Sequence, residues 1–324
     1  MFDEQEVQHL LAGIDSLQRA LVATMCLMRS SVLVESSSLE KEGLGYRSIV
    51  NDAVSLCRGL ATGASGLSEP AAAHVADLNA DLGESFGAWT IGDDAALMEI
   101  ITSANVACGF HAGDPLTLRK ACQLAAGRGI TIGAQVSYRD LAGFGRREMD
   151  VPAAELTAEI LYQISALDGI ARAEGSSVRY VKPHGALYHR VAKDPVQGDA
   201  LIQAVRAYDP SLPLLTKPDG QAAAIARAAG MRVVTEAYAD RAYGPDGALI
   251  SRGRAGAVLT DADVVASRAV RMVVDGTVET VDGTQVRLGA RSLCIHGDTA
   301  GAVALARAVR GALEQAGVTL APFA

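Results

Sequence analysis

The chain has 324 residues, 49% of them apolar, and its 37 acidic and 29 basic side chains give a formal net charge of −8. That balance weighs against a nucleic acid or an anionic membrane as the main partner, while the length and apolar content suffice for one large core plus a smaller appendage. Five scattered cysteines (Cys26, Cys57, Cys108, Cys122 and Cys294) form no C-x-x-C pair and no zinc spacing, so reduced thiols in the cytoplasm are expected rather than a disulfide framework or a zinc module.

Residues 1–74 differ in pattern from the rest. Asp3, Glu4 and Glu6 replace the basic start of a signal peptide, and the apolar run 20–28 is far short of the roughly 20 residues of a membrane helix. Val7, Leu10, Ile14, Leu17, Leu21 and Met28 form a near-heptad helical stripe. A polar stretch, 35–43, reads as a linker, and a second amphipathic helix is predicted over 46–60. The stripe suits dimerisation and packing against the remainder of the chain equally.

From Val75 onward strands and helices alternate. Seven short β-like runs are predicted at 75–79, 104–107, 131–137, 178–182, 212–216, 231–236 and 292–296. Helical segments separate them: one capped by Asp93, then 116–126, 152–174, 195–208, 220–229, 261–275 and, after the last strand, 300–316. This rhythm implies a parallel sheet. A small hairpin around Asp282-Gly283 precedes the last strand.

Nearly every predicted strand runs into polar residues, and a closed parallel barrel gathers all its strand C-termini at one mouth. Closure would bring together Asn79, Asp81 and Glu84 from the first strand, His111 from the second, Gln135 and Tyr138 from the third, and Lys182 and His184 from the fourth. Lys217, Glu236, Asp240, Arg241 and His296 would join them from the later strands. One polar residue at a strand end is ordinary loop chemistry; the ensemble points to a functional mouth.

The residue types suggest roles. Asp77, Asn79 and Asp81 alternate onto one strand face; Asp77 and Asp81 are candidate ligands of a divalent cation, Asp81 also a group that positions water, and Asp77 equally a buried structural acid. His111 suits proton exchange near neutral pH, whereas Asp114, before Pro115, suits helix capping. Lys182 suits oxyanion or phosphate charge, with Pro183 fixing the turn to His184. Arg241, Arg252 and Arg254 offer the planar fork that holds carboxylate or phosphate, or are solvated loop residues. His296 is either oriented by Asp298 or part of a helix start. Cys108 and Cys294 read as small buried hydrophobes, and His9, His74 and His189 carry no functional argument. The standard P-loop, G-x-G-x-x-G and G-x-S-x-G motifs are absent.

Six segments together carry a resemblance: DLNADLGESFGAWT from Asp77, ANVACGFHAGDP from Ala104, GFGRR from Gly143, VKPHGALY from Val181, YADRAY from Tyr238 and IHGD from Ile295. In order and spacing, over residues 75–320, they resemble the LamB/YcsF family, whose characterised members are the A component of an ATP-dependent 5-oxoprolinase. The resemblance implies a seven-stranded parallel (β/α) barrel of the glycoside hydrolase and polysaccharide deacetylase type, here with an N-terminal helical extension. It also implies opening of the 5-oxoproline lactam to L-glutamate with hydrolysis of ATP, Mg²⁺ accompanying the nucleotide, in a complex with subunits B and C. Asp81, His111, Lys182 and His184 are then the expected catalytic core. Asn79, Glu84, Gln135, Tyr138, Arg146, Lys217, Glu236, Asp240, Arg241 and His296 are expected to bind substrate or ATP. Two departures stand out. Gln135 and Val136 occupy positions where the family pattern has His and Pro, and residues 1–74 precede the usual start, with Val75 where an initiator is expected; they are read as a dispensable extension or the product of a misplaced start. Two rival readings remain, a metal-dependent deacetylase or amidohydrolase on the same barrel and a non-catalytic assembly component.

Overall fold

Strands buried on both faces belong to a parallel sheet covered by helices, and the strands here have that pattern: seven of the eight residues of β1 (Val75–Leu82) are buried. The computed structural model describes residues 74–298 and 301–324, so both predicted N-terminal helices and the linker between them lie outside the described residues. In chain order the elements are β1, α1 (Asp94–Leu97), β2 (Ser103–Ala107), α2 (Pro115–Arg128), β3 (Thr131–Val136), α3 (Ala153–Ala173) and β4 (Val178–Pro183). Then come α4 (Gly185–Val191), α5 (Pro195–Tyr208), β5 (Leu214–Thr216), α6 (Gln221–Ala228), β6 (Val233–Tyr238) and α7 (Ala262–Val274). The antiparallel hairpin β7 (Thr277–Glu279) and β8 (Gln285–Arg287), β9 (Ser292–Ile295), α8 (Ala302–Gln315) and β10 (Thr319–Leu320) complete the described residues.

The ring runs β1-β2-β3-β4-β5-β6-β9, every pair parallel, and closes where β1 pairs with β9 through Asp77–Ala80 and Ser292–Ile295. The seven-stranded barrel expected from the sequence is therefore present. Helix starts follow the local chemistry: the Asp114, Asp194 and Asp261 carboxylates each accept two N–H groups of the following first turn, and Pro115 and Pro195 take first-turn positions whose missing N–H costs nothing. Asp114 is a cap, as its place before a proline suggests. Two elements, α4 and β10, go beyond the sequence expectation, being too short for a period to register.

Period-2 alternation points a polar set into the ring: Asp77, Asn79 and Asp81 from β1, Ser103 and Asn105 from β2, Lys182 from β4, Glu236 from β6 and Ser292 from β9, all buried. The end of the barrel where the strands begin is closed by Tyr180, Leu215, Val234 and Phe323, which form a small apolar plug. The C-terminal segment reaches it because β10 adds to the first two residues of β1 and Arg232 Nη2 donates to Phe323 O at 2.6 Å. The Tyr180 ring fits because its neighbour is Gly133: a Cβ there would sit 2.2 Å from the ring. The Tyr180 hydroxyl donates to Asn105 Oδ1 at 2.6 Å, tying the plug to the polar layer above it. Gly133→Ala is expected to cost about 1–3 kcal/mol through overpacking; urea denaturation of the two proteins measures it, and an unchanged midpoint would show that Tyr180 can move aside.

Candidate functional site

At the strand C-termini the polar set converges on one ammonium group. Lys182 Nζ lies 3.2 Å from Asp81 Oδ1 and 3.0 Å from Glu236 Oε2, 3.3 Å from Asn79 Oδ1 and 3.2 Å from Cys294 Sγ. All five residues are buried. Burial pushes the Lys182 pKa down, but the neighbouring acids, Asp81 foremost and then Glu236, outweigh it and hold the ammonium well above the usual lysine range. Burial likewise pushes Asp81 up, and the Lys182 ammonium, the largest opposing influence, more than reverses this, so the carboxyl is held well below its ordinary value. The Cys294 thiol is driven far up by burial and stays neutral, in keeping with its reading as a small buried group.

Beside this pair, Gln135 organises a second layer. Its Nε2 donates to Glu84 Oε1 at 3.2 Å and to His184 Nδ1 at 3.0 Å, while its Oε1 accepts from His111 Nε2 at 3.1 Å. These roles leave the proton of His184 on Nε2, which donates to Phe144 O at 3.1 Å. The two imidazoles stack with centroids 4.2 Å apart. Burial, and then His184, pushes His111 well below the usual histidine range; burial brings His184 to about 4 against the opposing pull of Asp81. Both rings are therefore neutral at pH 7. Glu84 is pushed well above the usual carboxylate range by burial, next by Asp81 and Asp298. The GFGRR loop presses on this layer from above. Phe144 has φ 54, a left-handed conformation costly for a bulky side chain, and its ring meets His111 and His184 edge-on at 5.9 and 5.4 Å. Gly185 makes the approach possible, since a Cβ on it would lie 2.3 Å from Gly145 O.

A third unit stands across the mouth. His296 Nδ1 lies 2.8 Å from Asp240 Oδ2, its ring stacks on Tyr238 with centroids 5.2 Å apart, and this leaves Nε2 toward the cavity that His296 lines. Burial raises Asp240, but His296 more than offsets it and the carboxyl stays below its ordinary value. The cavity has a volume of about 400 Å³. Asp81, Lys182, His184 and His296 stand at its floor, and Arg146, Lys193, Arg241 and Arg252 on its walls. Arg146 pairs with Asp298 and covers the Phe144 ring at 4.8 Å.

The structure brings most of the predicted residues together and sorts the others. Asp77 is separated from Asp81: its carboxylate accepts from Thr102 and Ser103 at 2.6 Å each and from Ser292, at the opposite end of β1, so it is the structural acid and not a ligand beside Asp81. Tyr138 points away into the core, its hydroxyl donating to Gln197 Oε1 on α5 at 3.0 Å, and has no place among the binding residues. Asn79 holds Lys182 and does not line the cavity. His111 is fully buried off the cavity, behind Gln135, which fits a supporting part and not direct proton transfer. Lys217 lies behind His189, whose Nδ1 is 3.2 Å from its Nζ. Sequence reasoning gives His189 no role and misses Asn105, which donates to Asn79 and Asp81; alternation along β2 in register with Asp81 is the available signal for Asn105.

Residues 76–324 match the model of the LamB/YcsF family. The chain belongs to the LamB/YcsF family. A relative from Streptomyces avermitilis, named as the A subunit of 5-oxoprolinase, is 58% identical over 248 residues, covering 76% of this chain and 99% of the relative. Another, one of the 5-oxoprolinase A subunits of Pseudomonas syringae pv. tomato, is 55% identical over 248 residues, covering 76% and 97%. Among solved structures, a lactam utilization protein from Thermus thermophilus superposes with a TM-score of 0.73 at 47% identity, covering 76% of this chain and 99% of that one.

Among the described residues of this LamB/YcsF chain two donor groups have metal-like composition, Asp81 with Cys294 and His296, and Glu84 with His111 and His184. Neither fits an ion as arranged. The Lys182 ammonium already sits 3.2 Å from both Asp81 Oδ1 and Cys294 Sγ, and the Gln135 amide occupies one nitrogen of each histidine and an oxygen of Glu84. A transition metal would have to displace a cation in one case and an amide bridge in the other.

The Lys182 and Asp81 shifts set a pH window. The contribution of Lys182 is present below its ordinary value of 10.5 and is lost only as pH rises through the higher folded value; that of Asp81 is present above its ordinary 3.8 and is lost only as pH falls through the lower folded value. Lys182→Met is therefore expected to destabilise the chain by about 3–5 kcal/mol at pH 7, by leaving two buried carboxylates without their cation. The deficit should shrink toward pH 4 as Asp81, no longer held low by the ammonium, takes up a proton. Urea melts at both pH values check this, and a deficit independent of pH would contradict it.

Proposed function

We propose that this chain is the A subunit of an ATP-dependent 5-oxoprolinase, which opens the lactam of 5-oxo-L-proline to L-glutamate with hydrolysis of ATP to ADP and phosphate, in a complex with subunits B and C. The observation that carries the reading is the Lys182 ammonium, fixed between Asp81 and Glu236 in a cavity that His296, paired with Asp240, also lines. Relatives named for 5-oxoprolinase, at 55% and 58% identity, support the substrate class.

A lactam carbonyl is a poor electrophile, and its nitrogen is a poor leaving group. Transfer of a phosphoryl group to the carbonyl oxygen would make the carbon open to water, which is the chemical reason to couple ring opening to ATP. Negative charge then develops on oxygen, and a preorganised buried ammonium stabilises it without reorganisation. Lys182 supplies that charge. His296, its Nδ1 proton directed to Asp240, presents Nε2 to take a proton from the attacking water. The proton that His296 takes from water is the one it can return to the departing ring nitrogen, while His184, which also lines the cavity, is oriented by the Gln135 amide. Mg²⁺ enters with ATP; the fit of the donor groups gives it no protein site of its own.

Release of glutamate and phosphate from 5-oxoproline and MgATP, with B and C present, tests the reading. Lys182→Ala should lower kcat/KM by about 10² or more, and Asp240→Asn by about 10² through misdirection of His296, each variant being checked for its fold by circular dichroism. Full turnover by Lys182→Ala would remove the ammonium from the mechanism.

A further inference from the structure

The outer wall of the cavity carries charge for which the mechanism above has no use. The chain as a whole is acidic, yet Lys193, Arg241 and Arg252 line this wall. Among the described residues neither Lys193 nor Arg241 has a carboxylate within ion-pair distance, and Arg252 reaches only Asp298, at 3.8 Å, which Arg146 already holds. Arg241 cannot swing out to water: it is buried, and its Nε and Nη2 donate to Ala257 O at 3.2 Å and Ile250 O at 2.6 Å. His189, at the centre, accepts from Lys217 Nζ and is pushed down to about 4, by burial first and then by Lys217, Arg241, Lys193 and Arg252. Lys217 in turn is held below its ordinary value by burial and then by Lys193. Four cations surround one neutral imidazole, and one of them, Arg241, is held in place by backbone carbonyls.

Like charges held together in a partly buried wall cost free energy unless an anion joins them. A carboxylate brings a single charge to the three cations Lys193, Arg241 and Arg252. A phosphoryl group carries close to two charges and three strong acceptor oxygens, which lysine and arginine donors suit. We propose that Lys193, Arg241 and Arg252, backed by His189 and Lys217, form a subsite for a phosphoryl dianion in the same cavity as Lys182 and His296. Two sources share that chemistry, the phosphate chain of a nucleotide and a phosphorylated lactam or its released phosphate. Naming these sources rests on the 5-oxoprolinase reading; the charge pattern does not.

Inorganic phosphate titrated into the full-length chain alone, followed by ³¹P line broadening, is expected to bind saturably and to weaken with added salt. Lys193→Gln and Arg252→Gln should each weaken it by about three- to tenfold, the double variant by more, and Arg252→Lys should keep most of the affinity; circular dichroism verifies each fold. Competition by ADP assigns the subsite to the nucleotide, and phosphate binding that ADP leaves untouched assigns it to the phosphorylated lactam or its product. The proposal is overturned by the lack of saturable binding to the unmodified chain, or by undiminished binding to the folded double variant. No lactam and no partner protein enters the titration, so its failure leaves the Lys182 assay intact, and a failed Lys182 assay leaves the titration readable.

Discussion

An ammonium group buried inside a closed barrel is the constraint from which the rest of this site follows. Removing such a charge from water costs several kcal/mol unless close anions and hydrogen bonds replace the solvent. Here Asp81 and Glu236 flank Lys182 at 3.2 and 3.0 Å, with Asn79 at 3.3 Å. Those partners come from β1 and β6, and Lys182 itself from β4, so no local segment can satisfy it. Only closure of the ring, with β1 against β9 and β9 against β6, brings Asp81 and Glu236 to the same ammonium. The usual barrel interior of branched apolar side chains is replaced by polar layers, and the apolar plug of Tyr180, Leu215, Val234 and Phe323 is confined to the far end. Stability and chemistry thus draw on the same contacts.

Gln135 illustrates how such a polar layer tolerates a change of residue. A histidine in its place, as in the family pattern, would offer one donor and one acceptor. The amide offers two donors and an acceptor, and uses them on Glu84, His184 and His111. It fixes which nitrogen of each imidazole carries the proton, while burial keeps both rings neutral. Any proton that His184 handles must therefore pass against that network, whereas His296, tied only to Asp240, is the imidazole with an uncommitted nitrogen at the cavity. In the proposed mechanism proton transfer therefore falls to His296 and not to His111 or His184, the histidines of the catalytic core expected from the sequence.

Much of the fold is legible in the sequence because alternation and strand-end polarity are local signals. All seven barrel strands show there, with β5 and β6 each starting two residues later than expected; Pro213 has no N–H to give a ladder. Register is not legible, and it decides depth. Asp77 and Asp81 share a strand face, yet they lie a full layer apart, and the hydroxyls of Thr102, Ser103 and Ser292 that claim Asp77 come from distant segments. Tyr138 follows Ser137 just past the end of β3, where the chain turns, and the direction of its ring depends on the packing of α5, which no motif encodes. His189 is invisible for a related reason: α4 is only seven residues long, and its place beside Lys217 and Arg241 arises from three separate βα connections.

The two ends of the cavity differ in how their charge is balanced, and that difference has a mechanical consequence. At the floor each charge has a partner within 3.2 Å, and every group is anchored on a strand or at its end, so the geometry is set before any ligand arrives. On the outer wall Arg241 is held by carbonyls of the segment between β6 and α7, and Arg252 lies in that same segment. If this wall takes the phosphoryl group proposed for it, binding would be thermodynamically linked to the placement of Arg252 and of Lys193, on the α4–α5 connection. A floor fixed in advance and a wall whose charge a dianion balances would admit the uncharged lactam carbonyl first to a rigid oxyanion site, and complete the enclosure only when phosphoryl charge is present.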